Sequence, residues 1–194
     1  MTRLEETDGV GLVPSRIPQQ SAAESGSNRT DVDAGLSAEL ASVVSGARRR
    51  ALRDGDRQID TAHLLHSLLE SDPDVRAVFD GGPQIARLLG YLVQRSIGYG
   101  LRWQSSVENS GGVPVVAEAG WSPVAAGAME GAYAGALLRG DDQARRLDLL
   151  AAIVADPQSR AVEVLGRAGV DTRVLLRRIE SQFEEYAGRG DDGR

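Results

Sequence analysis

Ile59-Asp60-Thr61-Ala62-His63-Leu64-Leu65-His66-Ser67-Leu68-Leu69 is the stretch on which the reading of the fold turns, because Arg145-Arg146-Leu147-Asp148-Leu149-Leu150-Ala151-Ala152-Ile153 repeats it in weaker form. Each reads as a short apolar helix, and one shift superposes their neighbours as well. Leu36-Ser37 aligns with Trp121-Ser122, and Ala47, Ala51 and Leu52 align with Ala132, Ala136 and Leu137. After a slip of one residue, Asp72-Pro73-x-x-Arg76-Ala77-Val78 matches Asp156-Pro157-x-x-Arg160-Ala161-Val162. A spacing kept over such a span marks an internal duplication of one structural unit.

In each copy the local signals predict the same helices. Ser37 is placed to cap a first helix whose Leu40, Val43, Val44, Ala47 and Ala51 share one face. Asp54-Gly55-Asp56 breaks it, Asp60 or Thr61 caps the second helix, and Leu64, Leu65, Leu68 and Leu69 point inward. Asp72-Pro73 stops that helix, since proline cannot continue the hydrogen-bond ladder. Val75, Val78 and Phe79 predict a short third helix, and Ile85, Leu88, Leu89 and Leu92 line a fourth after Gly81-Gly82-Pro83. The second copy opens on Ser122-Pro123, an N-cap followed by proline at the first helical position. Asp156-Pro157 closes its second helix, Ala161 to Leu165 give the third, and Asp171 caps the last through Phe183.

These residues resemble the Clp repeat domain, the double-repeat N-terminal domain of ClpA- and ClpC-type AAA+ unfoldases. There a first helix opening on Thr or Ser leads through a glycine turn to an Ile-Gly-Thr-Glu-His-Leu-Leu-type second helix. Here the first copy reads Leu36-Ser37, then Arg53-Asp54-Gly55-Asp56, then Ile59-Asp60-Thr61-Ala62-His63-Leu64-Leu65, and Trp121-Ser122-Pro123 is similar to the family's Tyr-Thr-Pro. The resemblance covers Leu36 to Ile179. It implies an all-α, pseudo-twofold duplicated four-helix repeat of about eight helices that binds a protein, peptide or peptide-like ligand without turnover, as an adaptor, delivery factor or decoy linked to a Clp unfoldase or its clients. The expected binding surface is the seam between copies, near Ser37, Thr61, Ser122 and Arg146, with Arg48 and Arg49 as further contacts. In ClpC-type domains the motif's glutamate receives phosphorylated arginine. Ala62 and Leu147 stand at those positions, and neither pairs with a guanidinium.

The expected organisation is a disordered N-terminal arm over 1–34, repeat 1 over 35–93, a connector over 94–120, repeat 2 over 121–183 and a flexible tail over 184–194. In the connector, Gly98, Gly100 and Asn109-Ser110-Gly111-Gly112 interrupt any helix, and Val113-Pro114-Val115-Val116 reads as extended chain. Tyr99, Trp103 and those valines either pack back over the repeats or form a recognition surface. Gly127, Gly131 and Gly135 share one face of their helix, each costing about 1 kcal/mol relative to alanine. That face is either packed against the first copy's opening helix or open as a shallow peptide groove.

Composition excludes much chemistry. There is no cysteine, hence no disulfide frame, thiolate metal site or cysteine nucleophile. All cations are arginine, from GC-rich codon usage or to escape lysine-directed tagging, and without lysine no Gly-x-x-x-x-Gly-Lys-[Ser/Thr] phosphate loop can form. His63 and His66 are the histidines; a ligand role would need Asp60 or Glu70 around the same point, whereas packing or capping needs nothing more. We expect no enzyme, no cofactor and no metal. The start lacks a signal-peptide pattern and no apolar run matches a membrane span, so the reading is a cytoplasmic, soluble protein with no membrane partner. A net charge of −6 argues against nucleic acid as the partner. The alternative is a helical nucleic-acid-binding regulator using the Arg48–Arg53 cluster.

Overall fold

The computed structural model describes residues 36–96, 108 and 120–191. Among them are eight helices: α1 (Ala38–Asp54), α2 (Thr61–Ser71), α3 (Pro73–Ala77), α4 (Gly82–Ser96), α5 (Pro123–Arg139), α6 (Arg146–Ala155), α7 (Arg160–Arg167) and α8 (Thr172–Asp191). They form two four-helix units in the order the duplication requires. The expectations for the 1–34 arm, Tyr99, Trp103 and the valines of 113–116 lie outside the described residues.

The helix ends carry the sequence signals in duplicate. Ser37 Oγ accepts from Leu40 N at 3.2 Å and Ser122 Oγ from Ala125 N at 3.0 Å. α1 and α5 both close on a left-handed glycine, Gly55 at φ 72° and Gly140 at φ 81°, where a side chain would be strained. At the start of α2, Asp60 caps His63 N at 3.0 Å, and the His63 ring returns the favour by accepting from Asp60 N. Arg145 takes the place of Asp60 in repeat 2 and offers no side-chain cap, but Asp148 still reaches back to Arg145 N at 2.7 Å.

α2 and α6 form the centre. Each packs on the other, on the first helix of its own unit and of the opposite unit, and on the opposite unit's third helix, the crossed pattern of a pseudo-twofold axis. Leu64, Leu65, Leu68 and Leu69 of α2 and Leu149, Leu150 and Ile153 of α6 are fully buried there. Each such side chain contributes about 1.5–3 kcal/mol on leaving water. Gly46 and Gly131, at corresponding positions of α1 and α5, allow the close approach. A Cβ at Gly46 would collide with Ser67 Oγ, and one at Gly131 would stand 3.2 Å from Ala152 Cβ.

α4 is described to Ser96 and α8 to Asp191, so helix reaches into the stretches 94–120 and 184–194 that the sequence reading set aside as connector and tail. Neither stretch of helix there holds proline, so no residue in it removes a backbone donor from the ladder. The glycine stripe does not face α1. It lies toward α6 of its own unit, as the Gly131–Ala152 and Gly135–Asp148 approaches show.

Candidate functional site

The seam is sewn by two parallel bridges that correspond under the repeat, Leu36 with Ala144 and Ile59 with Trp121. In the second, Ile59 N donates to Gly120 O at 2.7 Å and Ser122 N donates to Ile59 O at 2.8 Å. This crossing sets the start of α5 beside the start of α2, so Ser122 and Thr61 come together although they are far apart in sequence.

Between them sits Glu108, a connector residue only 4% exposed. Its Oε2 accepts from Thr61 N at 3.0 Å and from Ser122 Oγ at 2.7 Å. Its Oε1 accepts from Arg160 N at 2.7 Å and from the Thr61 hydroxyl. Thr61 opens α2 and Arg160 opens α7, so two helix N-termini converge on one carboxylate. Free first-turn amides and the aligned peptide dipoles both favour an anion there. The hydroxyls are fixed from behind: Ser122 Oγ accepts from Ala125 N, and Thr61 Oγ1 accepts from Ala161 N at 3.1 Å. Their protons are therefore directed at the carboxylate. Arg160 NH1 reaches Asp60 Oδ2 at 2.7 Å, tying α7 to the cap of α2.

The corresponding corner on the other side is built differently. Ser37 Oγ donates to Ala144 O at 3.3 Å, and Arg146, at the position of Thr61, extends NH1 to Asp72 Oδ2 at 3.0 Å. Of the residues expected from sequence, Thr61 and Ser122 thus share one notch, and Ser37 and Arg146 belong to its counterpart, which an internal ion pair fills. Arg48 and Arg49 lie on the exposed side of α1, about 17 Å along the helix from Ser37 at 1.5 Å per residue. Arg49 NH1 donates to Ser45 Oγ at 2.9 Å and Arg50 pairs with Glu70, which spends part of the cluster's charge within the fold. Ala62 and Leu147 are buried, so neither presents a group to a bound guanidinium.

His63 is buried with Asp54, Asp56 and Asp60 around it. Its Nε2 lies 3.5 Å from Asp54 Oδ2 and 3.2 Å from Asp56 Oδ2, and one ligand atom from each of Asp54, Asp56 and His63 falls within 4.8 Å of the others, close enough to hold a cation. Nδ1 lies 3.1 Å from Asp60 N and 2.8 Å from Asp60 Oδ1, and Nε2 faces the other two carboxylates. A metal ion on Nε2 would require the ring proton on Nδ1, turned to Asp60 Oδ1. The ring locks the α1–α2 turn onto the start of α2. His66 is buried beside Arg50, and burial first, the guanidinium second, lower its pKa to about 4.

No family model matches this sequence, and no curated protein matches it. Solved structures do. The N-terminal domain of the caseinolytic-protease-associated chaperone ClpD from Arabidopsis thaliana superposes with a TM-score of 0.58 at 13% identity, over 78% of this chain and 96% of that one. A structure from preliminary structural investigations of a malarial protein secretion system gives 0.56 at 14% identity, over the same 78% and 96%. The fold is therefore that of a Clp N-terminal domain, all-α and duplicated. No helix among the described residues is long and apolar enough to cross a membrane.

Glu108, Arg160 and Asp72 carry the two corners and are missing from the sequence-derived set. Arg160 had a visible signal, its place in the repeated Asp-Pro-x-x-Arg element. Glu108 had none, being one acid in an aperiodic stretch.

Proposed function

We propose that this chain is a non-catalytic binding module of the Clp N-terminal-domain kind, which recognises protein or peptide segments, with a Clp unfoldase or its clients as the partner class. The seam notch takes an acidic group of the bound segment. The observation that supports this reading is Glu108 itself: a carboxylate from between the two repeats, held by two backbone amides and two oriented hydroxyls. The notch is built to receive such a group, and the one it holds comes from the same chain. Clp N-terminal domains being binding rather than catalytic units points the same way. So does the seam's chemistry, in which the Ser122 and Thr61 hydroxyls serve as caps and direct their protons to a carboxylate.

The test is fluorescence anisotropy with two labelled extended peptides, one centred on glutamate and its glutamine twin, against the wild-type chain and Glu108→Ala. The glutamate peptide should bind Glu108→Ala at least tenfold more tightly than it binds the wild type, the glutamine peptide should bind neither, and the recovered peptide should be unchanged in mass. Equal binding of the two peptides, or a cleaved peptide, defeats the proposal.

A further inference from the structure

α5 and α8 both pack on α6, and between them runs an open groove of about 800 Å³ with α6 as its floor. Gly127, Gly131, Gly135, Ala151, Ala152 and Ala155 line its base. Val124, Leu176 and Phe183 form the apolar walls. The corresponding face of repeat 1 bears Ser42, Gly46, Arg50, His66, Ser67 and Glu70. There Arg50 pairs with Glu70 and His66 Nε2 lies 3.4 Å from Glu70, so side chains cover the ground. In repeat 2 the same positions are glycine and alanine, and no side chain among the described residues covers the ground. The duplication supplies its own control: the groove is a property of these substitutions and not of the fold.

The rim decides what fits. Arg139, at one end, is engaged within the chain. Its NH2 lies 2.5 Å from Asp148 Oδ1 and 3.1 Å from Asp141 Oδ2, and its guanidinium stacks 4.0 Å from the Phe183 ring. Asp156, at the other end, accepts from Gln158 N at 2.8 Å, and Glu180 on one wall is exposed, so among the described lining residues the groove is apolar at its base and acidic on the Glu180 side. A Cβ at Gly127 would meet nothing within 4 Å and one at Gly131 only Ala152 Cβ, so beside the contact with α6 the stripe leaves room for a further helix backbone, and the run from Val124 to Gly135 is about 17 Å, three turns of helix.

We infer that this groove docks an amphipathic helix of a partner protein, its small or branched apolar residues against the glycine stripe and a lysine or arginine beside Glu180. This is helix-in-groove recognition read as i, i+4, i+7 anchors. It is a second surface, independent of the carboxylate notch.

The experiment uses the full chain and two labelled helical peptides with the same alanine–leucine face, one with lysine at the flanking positions and one with glutamate, measured by fluorescence anisotropy. The lysine peptide should bind saturably, and more weakly as salt rises. Gly127→Leu, whose added side chain begins in open space, should weaken it at least tenfold without lowering the melting temperature. Glu180→Arg, an exposed change, should reverse the preference to the glutamate peptide. Glu108→Ala should leave both affinities unchanged, which separates this site from the seam. No saturable binding, equal binding to Gly127→Leu, or no charge preference overturns the inference. Sedimentation showing a wild-type dimer that Gly127→Leu abolishes would give the groove to a second copy of this chain and overturn it as well.

Discussion

Replacing Glu108 by alanine isolates the interaction that fixes the seam. The carboxylate accepts four hydrogen bonds in a site closed to solvent. The two hydroxyls can turn to other acceptors or to water once it is gone. The Thr61 and Arg160 amides cannot, because each is the first rigid N–H of a helix. An unsatisfied buried donor costs about 1–3 kcal/mol, and water entering the vacated space recovers part of that, so the variant should lose about 2–4 kcal/mol. Glu108→Gln keeps one carbonyl oxygen but turns an amide N–H toward donors, and should lose roughly half as much. Urea unfolding followed by far-ultraviolet circular dichroism reads both values, with m unchanged if only stability has moved. Acetate at ten times its dissociation constant should return about 1.4 kcal/mol to Glu108→Ala and nothing to the wild type. A loss below about 0.5 kcal/mol, with no response to acetate, would refute the argument that the notch is built around an anion.

Other consequences are open to measurement. Gly46→Ala should destabilise by about 1–2 kcal/mol, since its Cβ would collide with Ser67 Oγ, and Ser67→Ala should rescue it; Gly131→Ala, facing only Ala152 Cβ, should be near neutral because helix propensity offsets the tighter contact. His66 has a folded pKa near 4 against an ordinary 6.5, so the unfolded chain binds the extra proton between those values. Stability should therefore rise with pH across that window and level off above it, by on the order of 1–3 kcal/mol, and the slope should shrink in His66→Gln when denaturation is repeated from pH 4 to 7. Arg160→Met breaks a buried pair with Asp60 and should cost about 3 kcal/mol in urea unfolding, clearly more than Arg146→Met, whose pair with Asp72 is more exposed.

The fold was legible because its signals are local and were written twice. Ser37 and Ser122, the glycines closing α1 and α5, and the two Asp-Pro steps each determine a helix end within a few residues, and the leucines of α2 give their face by spacing alone. What escaped was whatever depends on how the halves meet. The glycine stripe of α5 announced a close approach but not its direction, which α6 and not α1 determines. Arg146 was placed near the seam by its position in the second copy, and its pairing with Asp72 is a contact between the halves that no local pattern announces. Glu108 gave no pattern to read, because its role comes from two helix starts that only the crossing of Ile59 with Trp121 brings together.

The claim on which the account rests is that the seam receives an acidic group through the amides of Thr61 and Arg160. Titrating the glutamate peptide into isotopically labelled Glu108→Ala and following those two backbone amides by nuclear magnetic resonance tests it most directly. Both resonances should move downfield together and saturate, restoring the positions they hold in the wild type. Amides that stay in place while peptide is added to millimolar concentration, or shifts confined to α5 and α8, would contradict it.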